Sequence, residues 1–334
     1  MASRDKASVL AGDIGGTKTL LGLFRVEGGT LALVREKHYP TRDFKTLEEV
    51  AKDFLGRAVS IAAACFGVPG PIIGGVSHAT NVHWTMEEHA LAHALGVHSA
   101  RLINDLEATA YGMLTLGENE VTALQPGDSA PPRAPIAVIA AGTGLGEAGL
   151  VPLSDGRWRS VATEGGHADF APRGRDQIEL LEYLSSEFGH VSFERALSGP
   201  GLVNIYRFLK ARGGPAEPAW LASQFTAGTD PAAVISEAAL AGRDPRCVAA
   251  LGMFVDIYGA EAANLALKYM ALGGVYLGGG IAPKILAALT TGRFSRAFLA
   301  KGRLDKVLAR IPVRVSLNAA AALAGAARCA MELL

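Results

Sequence analysis

The stretch VLAGDIGGTKTLLGLF (Val9–Phe24) decides how this chain is read, because it has an echo in VIAAGTGLGEAGLVPL (Val138–Leu153). Each copy runs apolar strand, glycine turn, apolar strand, and each opens a run of further strand signals. Laid over one another, Asp13 meets Gly142 and Gly15 meets Gly144. Two related halves, each with a glycine-rich hairpin, predict one ligand held between two domains. Neither loop fits the helix-opening nucleotide motifs. A dinucleotide loop or a Walker loop must lead into a helix, whereas Leu20–Phe24 and Ala148–Leu153 are rich in strand formers. Glycines in such a hairpin admit positive φ and bring backbone N–H groups close to a phosphate oxygen. Thr17 and Thr143 add hydroxyl donors. Asp13 beside such a loop repels phosphate unless a divalent cation bridges them, which implies Mg²⁺. Taken singly, each loop also fits an ordinary tight turn.

Working outward, the chain has 334 residues, enough for two domains with sizeable cores. Apolar residues make up 49% and charged residues 19%, which excludes intrinsic disorder. Thirty-two Lys+Arg balance 32 Asp+Glu, so no net field holds a nucleic-acid backbone or an anionic membrane. The 40 glycines are in excess and lack any collagen-like period, so they serve local backbone geometry. Cys65, Cys247 and Cys329 form no CxxC pair, against both a disulfide framework and a cysteine zinc site. MASRDKAS carries no apolar signal core, and Tyr269–Pro283 is too short and too glycine-rich to span a bilayer. A cytoplasmic location is expected.

Strands are predicted at Ser8–Asp13, Thr19–Val26 and Leu31–Tyr39, then an amphipathic helix showing Phe44, Leu47, Val50, Ala51 and Phe54 on one face. Ser60–Phe66 and Ile73–Ser77 read as strands, Thr85–Leu95 as helix, Arg101–Ile103 as extended and Leu106–Leu116 as helix. Past a Pro/Gly/Asp loop come strands at Ile136–Ala141, Gly146–Val151 and Trp158–Thr163. Helices dominate from Asp176 to Met270, the longest beginning near Arg246. Val275–Leu277, Val313–Ser316 and the helix Ala319–Leu333 finish the chain. Five histidines (His78, His83, His89, His93, His98) cluster, with His89 and His93 four residues apart. Without an HExxH pattern they read as a solvated face rather than a metal site.

Six collinear blocks carry a family resemblance: Asp13-Ile-Gly-Gly-Thr17, Leu102-Ile-Asn-Asp105, Ala141-Gly-Thr-Gly-Leu-Gly146, Glu164-Gly-Gly-His167-Ala-Asp-Phe-Ala-Pro172, Gly189-His-Val-Ser-Phe-Glu194 and Leu197-Ser-Gly-Pro-Gly-Leu202. Together with Gly278-Gly-Gly-Ile-Ala-Pro283 they resemble the bacterial ATP-dependent glucokinase family, of the hexokinase, actin and Hsp70 superfamily. The resemblance implies an α/β, two-domain actin-like ATPase (ribonuclease H-like) fold with a central cleft. The smaller domain would be residues 1–114 completed by 312–334, and the larger one 115–311. It implies phosphorylation of D-glucose at the 6-hydroxyl by ATP, giving glucose 6-phosphate and ADP. It names Asp105 as catalytic base and Asn81, Asn104, Asp105, Glu164, His167 and Glu194 as sugar ligands. Asp13, Gly15, Gly16 and Thr17 would lie near the γ-phosphate, with Asp13 at the metal. Gly142, Thr143 and Gly144 would lie on the β side, and Gly279 and Gly280 near adenosine. The partners implied are glucose and ATP with Mg²⁺, no nucleic acid and no membrane, and a homodimer is compatible with it.

The chemistry of those residue types agrees. A carboxylate at a strand end can orient a sugar hydroxyl and take its proton during phosphoryl transfer. Carboxylates such as Glu164 and Glu194 can accept from two adjacent hydroxyls, and His167 suits one near the anomeric carbon. Read without the resemblance, Asp105 also fits a helix cap, Glu194 a solvated helix face and His167 a structural loop residue. Repressor/open-reading-frame/kinase (ROK) proteins of the same superfamily carry a cysteine-rich zinc loop after a Glu-x-Gly-His motif. Those cysteines are absent here, which marks His167 as a sugar ligand rather than a zinc ligand. A kinase for another hexose, a sugar-responsive regulator and an actin-like assembly protein remain the alternatives.

Overall fold

A computed structural model describes residues 7–56, 59–78, 82–128 and 133–334. The first half runs β1 (Ser8–Ile14), β2 (Lys18–Glu27), β3 (Thr30–Pro40), α1 (Leu47–Leu55), β4 (Ala63–Val68), β5 (Ile72–Ile73), β6 (Val76–His78), β7 (Thr85–Glu87), α2 (Glu88–Leu95), β8 (Ser99–Asn104) and α3 (Asp105–Met113). Then come β9 (Val121–Gln125), β10 (Ile136–Ala141), β11 (Leu145–Pro152), β12 (Trp158–Ala162), α4 (Gly174–Phe188), α5 (Gly199–Ala211), α6 (Ala219–Thr226), α7 (Pro231–Leu240) and α8 (Pro245–Tyr269). The last part holds β13 (Gly274–Gly278), α9 (Ile281–Lys284), α10 (Leu286–Leu289), α11 (Arg293–Leu299), α12 (Asp305–Leu308), β14 (Val313–Ser316) and α13 (Ala321–Glu332).

The echo seen in the sequence is an echo in topology. One sheet has the order β3-β2-β1-β4-β8 and another β12-β11-β10-β13-β14-β9, so each half places a meander beside two later strands in the same order. In the first sheet β1 is antiparallel to β2 and parallel to β4, which is parallel to β8. In the second, β10, β13 and β14 are parallel. This α/β arrangement is the actin-like ATPase fold.

By internal contacts the chain divides into two compact units. The first is Met1–Glu120, Leu150–Ala162 and Asn318–Leu334, and the second Val121–Gly149 and Thr163–Leu317. Relative to the boundaries drawn from sequence, residues 115–120 and 150–162 move into the first unit and 312–317 into the second. Strand β14 goes there because it pairs with β13 and β9.

In the first unit, Leu10, Ile14, Leu21, Phe66, Leu102 and Val50 share one core with α1 and Leu91 of α2. Thr46 caps α1, accepting from Glu49 N at 3.2 Å, so Phe44 precedes the helix instead of belonging to it. Helix α13 lies against α3, the element that begins with Asp105, with Gly112 and Gly325 at the contact. The second unit is built around α8, whose Phe254, Tyr258, Ala262 and Leu265 are buried among Ile139, Leu277, Phe294 and Phe298. This helix is apolar and long enough to cross a membrane, but most of it is buried inside the unit, as a core helix is.

Two further local expectations change. Ile73–Ser77 is a hairpin, β5 and β6, turning through Gly74 and Gly75, both with positive φ. Thr85–Glu87 is strand β7 rather than helix, and only Glu88–Leu95 is helical. From Val82 to Glu87 burial alternates residue by residue, with Val82, Trp84 and Met86 inside, which is the period of a strand.

Candidate active site

In the first unit the parallel strands β1, β4 and β8 end together. Asp13 is level with Gly67, and Gly67 with Ile103, so Asp13 and the start of α3 lie at one end of the sheet. At ~4.8 Å per strand their backbones are about 10 Å apart. Ligands of open α/β sheets bind outside such carboxyl ends. The Gly15-Gly16-Thr17 turn is closed by Gly15 N donating to Lys18 O at 2.9 Å. It is braced by Thr41, whose hydroxyl donates to Gly15 O at 2.7 Å and lies 3.0 Å from the Thr19 hydroxyl. Gly16 and Thr17 are exposed. Burial pushes the Asp13 carboxyl above its ordinary value, so a nearby cation would have a desolvated partner there.

Asn104 is the N-cap of α3. Its Oδ1 accepts from Leu106 N at 2.8 Å, while Glu107 returns the bond to Asn104 N at 3.0 Å, a capping box. Asn104 Nδ2 donates to Gly70 O at 3.2 Å, so much of the amide is already engaged. Asp105 is the first helical residue and also accepts from Leu106 N, at 2.8 Å. A carboxylate there faces the positive end of the helix, a favourable electrostatic placement. The capping role therefore falls chiefly to Asn104.

In the second unit, the Gly142-Thr143-Gly144 turn closes with Gly142 N donating to Gly144 O, and the first residue of α5 donates from Gly199 N to Gly142 O, both at 2.8 Å. Gly142, Thr143, Pro200, Ser236, Gly280 and Lys284 are among the residues lining a cavity of about 560 Å³. A Cβ on Gly142 or Gly280 would meet nothing within 4 Å, so these two glycines keep the cavity wide. Gly279, with φ of 77°, seats the β13–α9 turn against the backbone of Ala141.

Leu145 gathers the rest. Its N–H donates to Glu194 Oε2 at 2.9 Å, and Glu194 also covers Gly144. Gly166 lies so close to the Leu145 carbonyl that no side chain would fit, which brings the Glu164–His167 turn down onto β11. Asp169 bridges Ser192, Phe193 N donates to Ala168 O at 3.0 Å, and the rings of Phe170 and Phe193 meet edge to face. The Glu164 and Glu194 segments are thus fastened together, with Glu164 and His167 exposed. Asn81 lies outside the described residues. Among the described residues no group of three His, Cys, Asp or Glu side chains is placed to hold a metal.

The sequence reading missed Ser236 and Lys284. Lys284 follows the Gly278–Pro283 block directly and was open to notice, but Ser236 sits in an alanine-rich helix with no local mark. It also missed a buried pair, Glu147 of β11 and Glu261 of α8, which are 1% and 0% exposed. Burial first and Glu261 second push the Glu147 carboxyl up to about 8, and burial raises Glu261 too.

Comparison with known proteins covers the same span. The glucokinase family model matches residues 10–333. A glucokinase of Synechocystis sp. is 41% identical, over 97% of this chain and 98% of its own length. Among solved structures, a glucokinase from an Antarctic psychrotroph superposes with a TM-score of 0.86 at 31% identity, covering 98% of this chain and 99% of that one. A ROK family glucokinase from Streptomyces griseus, solved with glucose and AMPPNP, shares the fold at a TM-score of 0.62 and 23% identity, over 97% of this chain and 99% of that one.

Proposed function

The chain belongs to the glucokinase family, and from that premise we propose that it moves the γ-phosphoryl group of ATP to the 6-hydroxyl of D-glucose with Asp105 as general base. The observation that carries the assignment of the base is its place: a carboxylate at the end of β8 and the start of α3, at the same sheet end as Asp13. From there Asp105 orients the hydroxyl and takes its proton as the phosphorus–oxygen bond to ADP breaks. The hydroxyl oxygen becomes the ester oxygen of glucose 6-phosphate. Glu164, His167 and Glu194 hold the other hydroxyls, and Asn104, its amide partly spent on the cap, contributes its remaining hydrogen-bonding capacity. A site of this kind disfavours sugars lacking a hydroxyl, because a polar group that the bound sugar covers is then left unpaired.

The cavity beside Gly142 and Gly280 takes the nucleotide. Its two open glycines leave room that a Cβ would fill, and Lys284 and Ser236 offer a cation and a hydroxyl at its wall. The donor set at the β1 turn fits Mg²⁺, which keeps several waters and needs only one or two carboxylates besides phosphate oxygens, and Asp13 supplies one. Bound there, Mg²⁺ would neutralise charge on the phosphates during transfer. Asp13 would hold the ion, and the Gly15–Thr17 backbone would face the phosphates. The enzyme works in the cytoplasm, where its three buried thiols stay reduced.

The test is a coupled assay of sugar phosphate formation across glucose, mannose and fructose, with ATP and Mg²⁺. Glucose is expected to give the highest kcat/KM, and a ranking with glucose among the poorest substrates would overturn the substrate assignment.

A further inference from the structure

We propose that Glu147 and Glu261 share one proton and, as a pair, position the Glu164–His167 turn, so that losing this proton weakens glucose binding and leaves phosphoryl transfer intact. The inference rests on the assignment of Glu164 and His167 as sugar ligands. It goes beyond that assignment by naming what holds them.

The geometry runs from the core outward. Glu261 projects from α8 and receives Asn264 Nδ2 on its Oε2 at 2.6 Å, while Lys268 Nζ lies 3.7 Å from its Oε1. Asn264 is in turn held by the Lys301 ammonium. Glu147 lies within hydrogen-bonding reach of Glu261. In each residue a buried oxygen, Oε1 in both, accepts no hydrogen bond when both carboxyls are counted as acceptors, and only the Lys268 ammonium stands near that of Glu261. Two buried carboxylate oxygens that accept no hydrogen bond are costly, and a proton held between the two carboxyls lowers that cost. Glu261, with its amide donor and a nearby ammonium, is then the carboxylate that accepts. Burial and the mutual repulsion of two charges both favour this singly protonated state.

The other oxygen of Glu147 touches the sugar turn. Glu147 Oε2 occupies the place where a Cβ on Gly165 would have to sit. Glu147 O also accepts from the Thr163 hydroxyl at 3.0 Å, and that hydroxyl accepts from Gly165 N at 3.1 Å. The residues on either side of Glu164 are therefore set by Glu147, from both its side chain and its backbone. The backbone of β11 is fixed in a sheet, so two ionised carboxylates must relieve their repulsion through the Glu147 side chain, and Gly165 is what it pushes on. The other groups facing the pair are Lys268, Lys301 and Tyr269, whose phenol burial and Glu147 both push up, with Arg173 behind Lys301. None of these donates to Glu147 in the structure, so none replaces the proton.

The experiment is a pH series of glucose KM, ATP KM and kcat for the wild type, Glu147→Gln, Glu261→Gln and Glu164→Gln, with thermal melts for each. If only the protonated pair binds glucose, KM rises in inverse proportion to its population, about ten-fold between about pH 7 and about pH 9. That step is expected in the wild type for glucose alone, with kcat and ATP KM level. An amide at either position supplies a permanent N–H donor, so Glu147→Gln and Glu261→Gln should both keep a low glucose KM with no step. If one of them fails to fold, the other answers the question. A level glucose KM in the wild type, or a step that survives both substitutions, overturns the proposal. Glu164→Gln reads the premise separately: an unchanged glucose KM there removes Glu164 from the sugar site, whatever the pair does.

Discussion

Asp105→Asn separates catalysis from folding at this site, because the structure shows what the substitution leaves in place. The side-chain contacts that start α3 are carried by Asn104 and Glu107, at 2.8 and 3.0 Å, and an Asn at 105 retains an oxygen for Leu106 N. What disappears is a negative charge at the positive end of the helix, worth about 0.3–1 kcal/mol. Shape and volume hardly change. The melting temperature should therefore fall by only a few degrees, and glucose should still bind. Catalysis loses its proton acceptor, an effect of about 10²- to 10⁴-fold in kcat, or roughly 3–5 kcal/mol of barrier. The assay is kcat at saturating glucose and ATP beside a calorimetric glucose titration and a thermal melt. A kcat within about three-fold of wild type would refute Asp105 as the base. A lost kcat accompanied by a collapsed melt or lost glucose binding would refute the claim that the residue acts in chemistry and not in architecture.

Gly280→Val fills open space in the nucleotide cavity without meeting a neighbouring atom at its Cβ, so ATP KM should rise about ten-fold or more while the melt and glucose binding stay unchanged. Glu194→Ala removes the acceptor of Leu145 N, and glucose KM should rise by about 10- to 100-fold, the worth of a charged hydrogen bond lost in a half-buried site; a change under two-fold would remove Glu194 from the sugar site. The pair of buried glutamates also makes stability depend on pH. Glu147 takes up its proton well above the ordinary 4.5 of an unfolded chain, so its contribution is complete below that, declines as pH rises, and is gone once pH passes about 8. Stability between about pH 5 and about pH 9, followed by thermal melts, should fall in the wild type by on the order of a few kcal/mol, and fall less in Glu147→Gln.

Much of this was legible along the chain. The strands around both glycine turns, the strand end before Asn104-Asp105 and the long helix after Arg246 announced themselves through period and turn chemistry, both local properties. Thr85–Glu87 shows where local pattern falls short. The alternation of Val82, Trp84 and Met86 was present, but a short run before a genuine helix was absorbed into it. Phe44 keeps the helical spacing of α1, although Thr46 caps the helix after it.

What the sequence determined by itself was the doubled hairpin, the identity of the residues at its two turns, and the family to which their order points. These follow from neighbours in the chain, where backbone geometry and side-chain period act directly. Tertiary structure alone decided that Ser236 reaches the wall of the Gly142 cavity, that Leu145 joins Glu194 to the Glu164–His167 turn, and that Glu147 meets Glu261 beneath it. Each of these pairings is set by which helix packs on which strand, and at what register. A lone glutamate in an apolar helix carries no mark of the partner it will find. Only the fold, by burying both carboxyls together, turns two ordinary acids into one group that holds a proton.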